Sequence, residues 1–203
     1  MLVTDPRRGI ERTIVVVTEA GRHLGPGRLV VQLRDKESAD DVVLAHARAL
    51  REATRALGAL FVVNVGLARS VDFARLSGAD GVHVPNATAA DVIEVRTALG
   101  SGAFVSAAAH DDEAVTRALE AGVTAAFVSP IFETPGPSKA EPRGVSAITR
   151  ARAIVDAARR APSLLIYALG GIDAANAAAC RAAGADGVAA IRALYEDPRM
   201  LPA

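Results

Sequence analysis

Aromatic residues are scarce in this chain: tryptophan is absent and the aromatic share is only 3%. A core must then be filled by Ala, Val, Leu and Ile, within a hydrophobic share of 51%. Such a core suits parallel strands buried on both faces under Ala-rich helices. Cysteine is limited to Cys180, which excludes an internal disulfide and a cysteine-based metal cluster. In its Ala-rich helical surroundings it reads as a small buried residue. Charge of neither sign is in excess, since Lys plus Arg and Asp plus Glu both number 23. No basic block is interleaved with aromatics, so the electrostatic footprint of a nucleic-acid binder is missing. Long apolar runs are missing too, and Met1 is followed by Thr4, Asp5, Arg7 and Arg8. Neither a membrane span nor a secretory leader is expected, and a cytoplasmic protein is the default.

At 203 residues the chain is the length of one domain. What is present in quantity is repetition. Short β-prone apolar runs recur at residues 14–18, 29–33, 60–64, 80–84, 103–107, 125–129, 164–168 and 187–191. Helical stretches such as 39–57, 88–99, 111–121, 145–160 and 173–183 alternate with them. Glycine stops the helices at Gly58, Gly78, Gly100, Gly122 and Gly184, each just before a strand. Gly-Ala-Asp-Gly-Val occurs twice, starting at Gly78 and at Gly184. The expectation is an α/β fold, a single (β/α)8 TIM barrel spanning residues 1–203, with an open doubly wound sheet as the competitor. Two units read as abnormal. Residues 19–28 are too short and broken for a covering helix, so helix 1 is expected to be missing. Helix 8 is expected to be truncated within residues 192–203. The bare wall this would leave predicts a homodimer packed through the outward faces of 14–18 and 29–33.

Ligands of such folds sit at the strand C-termini. Period-2 alternation puts Gln32, Arg34 and Lys36 on one side of the second strand's end; the plainer alternative is a solvated strand end. The third strand ends in Asn64, and the fifth in Ser106 followed by His110. After the sixth, residues 129–139 bring Thr134, Ser138 and Lys139 together, a set of hydroxyls and charge able to cradle a phosphate. A merely rigid Pro/Gly loop is the alternative there. The seventh strand ends Gly170-Gly171-Ile172-Asp173, where bare amides opening a helix would bind an anion; the other reading is a tight turn with Asp173 as cap. His83 reads as a strand wall residue.

In this order the motifs resemble the thiamine phosphate synthase/TenI family, from about residue 14 to residue 193. Gln32-Leu33-Arg34-Asp35-Lys36 is similar to its Gln-Leu-Arg-Glu/Asp-Lys, and Gly78-Ala79-Asp80-Gly81-Val82-His83 to its Gly-Ala-Asp-Gly-Val-His. The loop from Ser129 to Lys139 and the run Leu169-Gly170-Gly171-Ile172-Asp173 match two more landmarks. The resemblance implies that hydroxymethylpyrimidine diphosphate and a thiazole phosphate combine to thiamine phosphate with release of diphosphate. Arg34, Lys36, Asn64 and Lys139 would hold the diphosphate, and Ser106, Thr134 and Ser138 would line the site. Gly170, Gly171 and Ile172 would grip the thiazole phosphate.

Three positions depart from the pattern. The family's Asn-Asp-Arg, with a Mg2+-binding aspartate, is Asn64-Val65-Gly66 here. The second metal aspartate has no counterpart in Val84-Pro85-Asn86-Ala87-Thr88, and Thr88 with Asp91 reads as a capping box. The family's Val-Ser at the last strand is Ile191-Arg192, an arginine that either strengthens a phosphate site or plugs it. Mg2+ is therefore expected only together with a diphosphate ligand, with no protein metal site, unless Asp91 or Asp72 substitutes. The partner is a small phosphorylated heterocycle. Synthase activity weakened by the missing ligands is the leading expectation. A non-catalytic phosphate-ligand binding or regulatory barrel is the alternative, as is a thiazole tautomerase using His110, because the tautomerase histidine after strand six is Pro130 here.

Overall fold

The computed structural model describes residues 1–134, 140–158 and 164–201. Strand β1 (Leu2–Val3) leads through a 3-10 turn at Pro6–Arg8 into helix α1 (Ile10–Leu24). Seven further units follow: β2 (Val30–Arg34) with α2 (Asp40–Ala56), β3 (Leu60–Asn64) with α3 (Leu67–Ser77), and β4 (Gly81–Val84) with α4 (Ala89–Leu99). Then come β5 (Phe104–Ala109) with α5 (Asp112–Ala121), β6 (Ala125–Val128) with α6 (Ser146–Ala158), β7 (Leu165–Leu169) with α7 (Ala177–Ala182), and β8 (Gly187–Ala189) with α8 (Arg192–Glu196). The strands pair in parallel and in sequential order, β1 through β8. Eight parallel strands alternating with helices make the (β/α)8 TIM-barrel fold. No helix among the described residues is long and apolar enough to cross a membrane.

One expectation is overturned. Residues 14–18 are not a strand, and helix 1 is not missing. The β-branched run Ile14-Val15-Val16-Val17-Thr18 lies inside α1, whose buried residues Thr13, Val16, Val17, Ala20, Gly21 and Leu24 follow helical spacing. Period 3.6 across fifteen residues outweighs the local β preference of a five-residue run. The first strand is the two-residue β1, in register Leu2↔Val31 and Val3↔Gln32. With α1 in place, Val16 and Val30 are buried and no bare wall is left there, so the argument for a dimer through that face falls away. The last helix, α8, has five residues, as short as its sequence reads.

The chain divides into two compact units. The first comprises Met1–His83, Glu94–Phe104 and Ile191–Ala203, and packs Leu2, Val16, Val17, Leu29, Leu50 and Phe61 out of water. The second comprises Val84–Ile93 and Val105–Ala190, with Phe127, Ile131, Ile148, Leu164 and Ile166 fully buried. Gly78 and Gly122 end α3 and α5 in the left-handed conformation, as helix-stopping glycines do.

The sequence repeat has a mechanical meaning. In the first unit the Phe61 N–H donates to Asp80 Oδ2 at 2.8 Å, Asp80 N–H returns a bond to Phe61 O at 2.8 Å, and Arg51 pairs with the same carboxylate at 2.7 Å. In the second unit Asp186 repeats this arrangement: Ile166 N–H donates to Oδ2 at 2.7 Å, Asp186 N–H donates to Ile166 O at 2.8 Å, and Arg152 supplies the guanidinium. Each aspartate thus satisfies an amide at the start of the preceding strand, which would otherwise be an unpaired buried donor. The glycine that follows each aspartate leaves room for a neighbour. A Cβ at Gly81 would lie 2.6 Å from the Phe104 carbonyl carbon, and one at Gly187 would lie 2.5 Å from the Tyr167 ring.

Gly81→Ala should therefore cost about 3 kcal/mol, because backbone cannot move aside. Gly78→Ala, which meets no atom within 4 Å and suffers only from its φ of 70°, should cost about 1–2 kcal/mol. Denaturant unfolding of both variants checks the order; equal losses would contradict the close-approach account.

Candidate functional site

In the first unit, register brings the ends of β2 and β3 together. Gln32 pairs with Val62 and Arg34 with Asn64, so Gln32, Arg34 and Asn64 share one face of the sheet. Gln32 is buried, and its Oε1 has no hydrogen-bond partner among the described residues. Arg34 is exposed; its backbone N–H donates to Thr4 Oγ1 at 3.0 Å. Lys36 leaves the alternation. The strand stops at Arg34 because Asp35 turns the chain, its Oδ1 accepting the N–H groups of Glu37 at 3.2 Å and Ser38 at 3.0 Å. Burial pushes the Asp35 carboxyl up, yet the bonds from Ser38 and Glu37 outweigh it and hold the group below the ordinary carboxylate range. Lys36 stands exposed on that turn.

His83 is a buried residue of β4, as expected of a strand wall residue, but it also stands at the strand end. Val63 pairs with Val82, so the next position on each strand sets His83 beside Asn64, and both are buried. Strand parity counted from Gly81 was the available signal. Beyond Asn64, Val65 is buried and its N–H donates to Ser70 Oγ at 2.9 Å, which ties the turn at Gly66 to the first turn of α3.

The loop after β1 belongs to the same unit and is tightly bonded. Asp5 accepts Arg7 Nε and Nη2, both at 2.8 Å. The Asp5 N–H donates to the Tyr195 hydroxyl at 3.2 Å, and that hydroxyl shares a 2.8 Å bond with Thr13 Oγ1. Arg8 lies over the Tyr195 ring, 5.9 Å from its centroid. Tyr195 is on α8, whose first residue is the half-buried Arg192.

In the second unit, Ser106 is fully buried and lies inside β5 rather than at its end, because the strand runs on to Ala109. His110 follows directly, with Nδ1 at 3.2 Å from Ser129 O and 3.3 Å from Ser129 Oγ. The Ser129 carbonyl can only accept, whereas its hydroxyl can donate to Nδ1 or accept from it. Past the cis Ser129–Pro130 bond, the N–H groups of Ile131 and Phe132 donate to Leu169 O and Gly170 O at 2.9 and 3.0 Å. Thr134 is half-buried on this loop; Ser138 and Lys139 lie outside the described residues.

Gly170 and Gly171 have φ of 101° and 63°. A Cβ on either would stand 2.8 Å from Pro130 Cα or 2.5 Å from Glu133 O, so both the conformation and the space demand glycine. The N–H groups of Gly170, Gly171 and Ile172 donate to no acceptor among the described residues. The expectation that Asp173 opens a helix directly is corrected. Its Oδ1 accepts from Ala175 and Asn176 in a turn, and the six-residue α7 begins only at Ala177.

A family model described as thiamine monophosphate synthase matches residues 1–194. The chain belongs to the thiamine monophosphate synthase family. A thiamine-phosphate synthase of Methanoculleus marisnigri is 40% identical over 195 residues, spanning 95% of this chain and 85% of that protein. One of Agrobacterium fabrum is 34% identical over 175 residues, spanning 83% and 74%. The solved thiamine phosphate pyrophosphorylase of Pyrococcus furiosus superposes with a TM-score of 0.74 at 23% identity, covering 98% of this chain and 91% of that one. An orotidine 5'-phosphate decarboxylase of Pyrococcus horikoshii reaches 0.64 at 18% identity, so the structural likeness speaks for the fold.

For a member of this synthase family the Mg2+ question is sharp, and the side chains present do not fit the ion. No group of three or more His, Cys, Asp or Glu able to hold a metal occurs among the described residues. Val65 is enclosed and apolar. Asp91 Oδ2 accepts the Thr88 N–H at 3.2 Å while Thr88 Oγ1 accepts the Asp91 N–H at 3.1 Å, the reciprocal capping box. Asp72 is exposed on α3, 3.7 Å from Arg75.

The loop after β1 gives a pH test. The side-chain bond from Arg7 foremost holds the Asp5 carboxyl below its ordinary value, against the opposing effect of burial. Its contribution is complete above the unfolded pKa of about 3.9 and is lost as pH falls through the lower folded value. Asp5→Asn should lower the melting temperature by roughly 2–4 °C at neutral pH. The gap to the parent should begin to narrow below about pH 4 and close only once the pH is below the lowered folded value, and a gap that persists unchanged in acid would contradict the carboxylate's role.

Proposed function

We propose that this protein is a thiamine phosphate synthase with slowed turnover, joining hydroxymethylpyrimidine diphosphate to a thiazole phosphate in the cytoplasm. The observation that carries the reading is the β2–β3 register, with Arg34 beside Asn64 and Gln32 two residues back on the same face. The reaction breaks the bond between the pyrimidine methylene carbon and the diphosphate oxygen. The bonding pair leaves with diphosphate, and the thiazole nitrogen lone pair forms the new carbon–nitrogen bond. No oxidant or proton acceptor is needed at the reacting atoms; the site must supply positive charge for the leaving group.

In the first unit Arg34 and Lys36 take that role, with Gln32 and Asn64 orienting the ligand. The second unit, taken by itself, offers Lys139 and the hydroxyls of Thr134 and Ser138 to a phosphorylated ligand, with Ser106 enclosed in β5. The undonated amides of Gly170, Gly171 and Ile172 are suited to a phosphate such as that of the thiazole. Arg192 adds a further cation for phosphate. The slowed rate follows from the missing carboxylates at Val65 and Thr88. The same observation supports a second reading, a phosphate-ligand binding or regulatory protein without turnover. The imidazole of His110, set directly after β5 beside Ser129, supports a third, a thiazole tautomerase.

With both substrates, thiamine phosphate should form at below about 1 s⁻¹, the lower edge of ordinary enzymes. Arg34→Ala should reduce kcat/KM about 100-fold, the loss of one charged donor to the leaving group. No product under any divalent cation, with thiazole phosphate still bound, would leave the binding reading. Thiazole isomerisation abolished by His110→Asn would leave the tautomerase.

A further inference from the structure

We infer that the first unit binds diphosphate without a metal ion, guanidinium groups taking over the charge that a carboxylate-held cation would supply. The inference rests on the reading that the ligand carries a diphosphate; it does not require turnover.

Three sets of observations converge. First, the carboxylates nearest the ends of β1 and β2 do not converge on one point: Asp5 is engaged, Asp35 is enclosed, and Glu37 is exposed on the turn beside Lys36, where its charge acts on Arg7. Both Asp5 oxygens accept from Arg7, and Arg8 lies 4.0 Å away. Asp35 is 1% exposed, with Oδ1 folded onto the amides of its own turn and Oδ2 buried without a partner among the described residues, a single enclosed oxygen rather than a set of ligands. Where the family pattern carries a metal-binding aspartate, Val65 is 3% exposed and its amide is bonded to Ser70. A hard cation needs several anionic or carbonyl oxygens facing one point, and these residues do not offer them.

Second, cations gather on adjoining segments of the same unit. Arg7 and Arg8 lie in the loop after β1, Arg34 and Lys36 at the end of β2, and Arg192 directly after β8. The side chains of Arg34, Lys36 and Arg192 donate to no acceptor among the described residues. Third, hydrogen bonds tie these segments into one surface. The Arg34 N–H is held by Thr4, the next residue Asp5 donates to the Tyr195 hydroxyl, and Arg8 covers the Tyr195 ring one helical turn after Arg192. The backbone that carries the cations is therefore fixed before any ligand arrives.

Chemistry favours arginine for this role. A guanidinium stays protonated at every physiological pH and offers paired donors that match two phosphate oxygens at once. A lysine or a hydrated cation lacks that planar fork.

The test is calorimetric titration of inorganic diphosphate into the full chain, once in EDTA and once in Mg2+, with orthophosphate as the comparison. Binding should survive in EDTA with an affinity within about threefold of that in Mg2+, and should weaken as salt is raised. Arg34→Ala and Arg192→Ala should each weaken it about tenfold in EDTA, the loss of one charge-assisted contact. Arg192→Lys should recover part of the loss. Unchanged melting temperatures of the two alanine variants would show that the fold is intact. Binding that appears only with Mg2+ would overturn the inference. So would Arg192→Ala binding diphosphate as tightly as the parent or more tightly, because the arginine would then block the site. Diphosphate binding in EDTA without thiamine phosphate formation would sink the synthase reading while leaving this one standing.

Discussion

Two aspartate side chains hold this architecture in step. Asp80 and Asp186 each accept the amide that begins the preceding strand and donate their own amide back to the same residue. A two-point bond of this kind permits one register, and a slip by one residue would turn every side chain of a strand to the opposite face. In the first unit that register sets His83 beside Asn64. In the second it aligns Leu169 with Ala189, so the chain reaches Gly170 at a defined height. Groups at the C-terminal ends of the strands are thus positioned by bonds made at the opposite ends.

Most of the alternation was legible because parallel strands and helices differ in period, and because Gly-Ala-Asp-Gly-Val marks the same joint twice. The first strand–helix pair reads wrongly for a physical reason. Ile14-Val15-Val16-Val17-Thr18 has strong β preference when read alone, and only the wider spacing of Thr13, Val16, Val17, Ala20 and Leu24 exposes a helix face. The two-residue β1 is too short to announce itself. Among site residues, Gln32, Arg34 and Asn64 were legible because strand parity alone decides their face. Lys36 and Asp173 were not. In each case an aspartate captures nearby amides and ends the regular element, so periodicity beyond that point carries no information.

The chain also separates two properties that usually travel together. The cationic strand end at Arg34 and the pair of left-handed glycines, Gly170 and Gly171, keep the family's pattern. The acidic side chains that would recruit a divalent ion are replaced by an enclosed valine and a helix cap. The segments that keep the pattern and the positions that lost a carboxylate are different residues, so either set can vary without disturbing the fold that carries it.

The packing of Gly170 and Gly171 against Pro130 and Glu133 has a consequence for how this half of the protein can vary. Neither glycine can gain a side chain while the loop after β6 keeps its course, and that loop cannot shift inward while the glycines stay where they are. The loops after β6 and β7 are therefore one heritable module. A graft that brings in the β6 loop of a relative without its glycine turn, or the turn without its loop, places backbone on backbone. Only paired exchange preserves the contact.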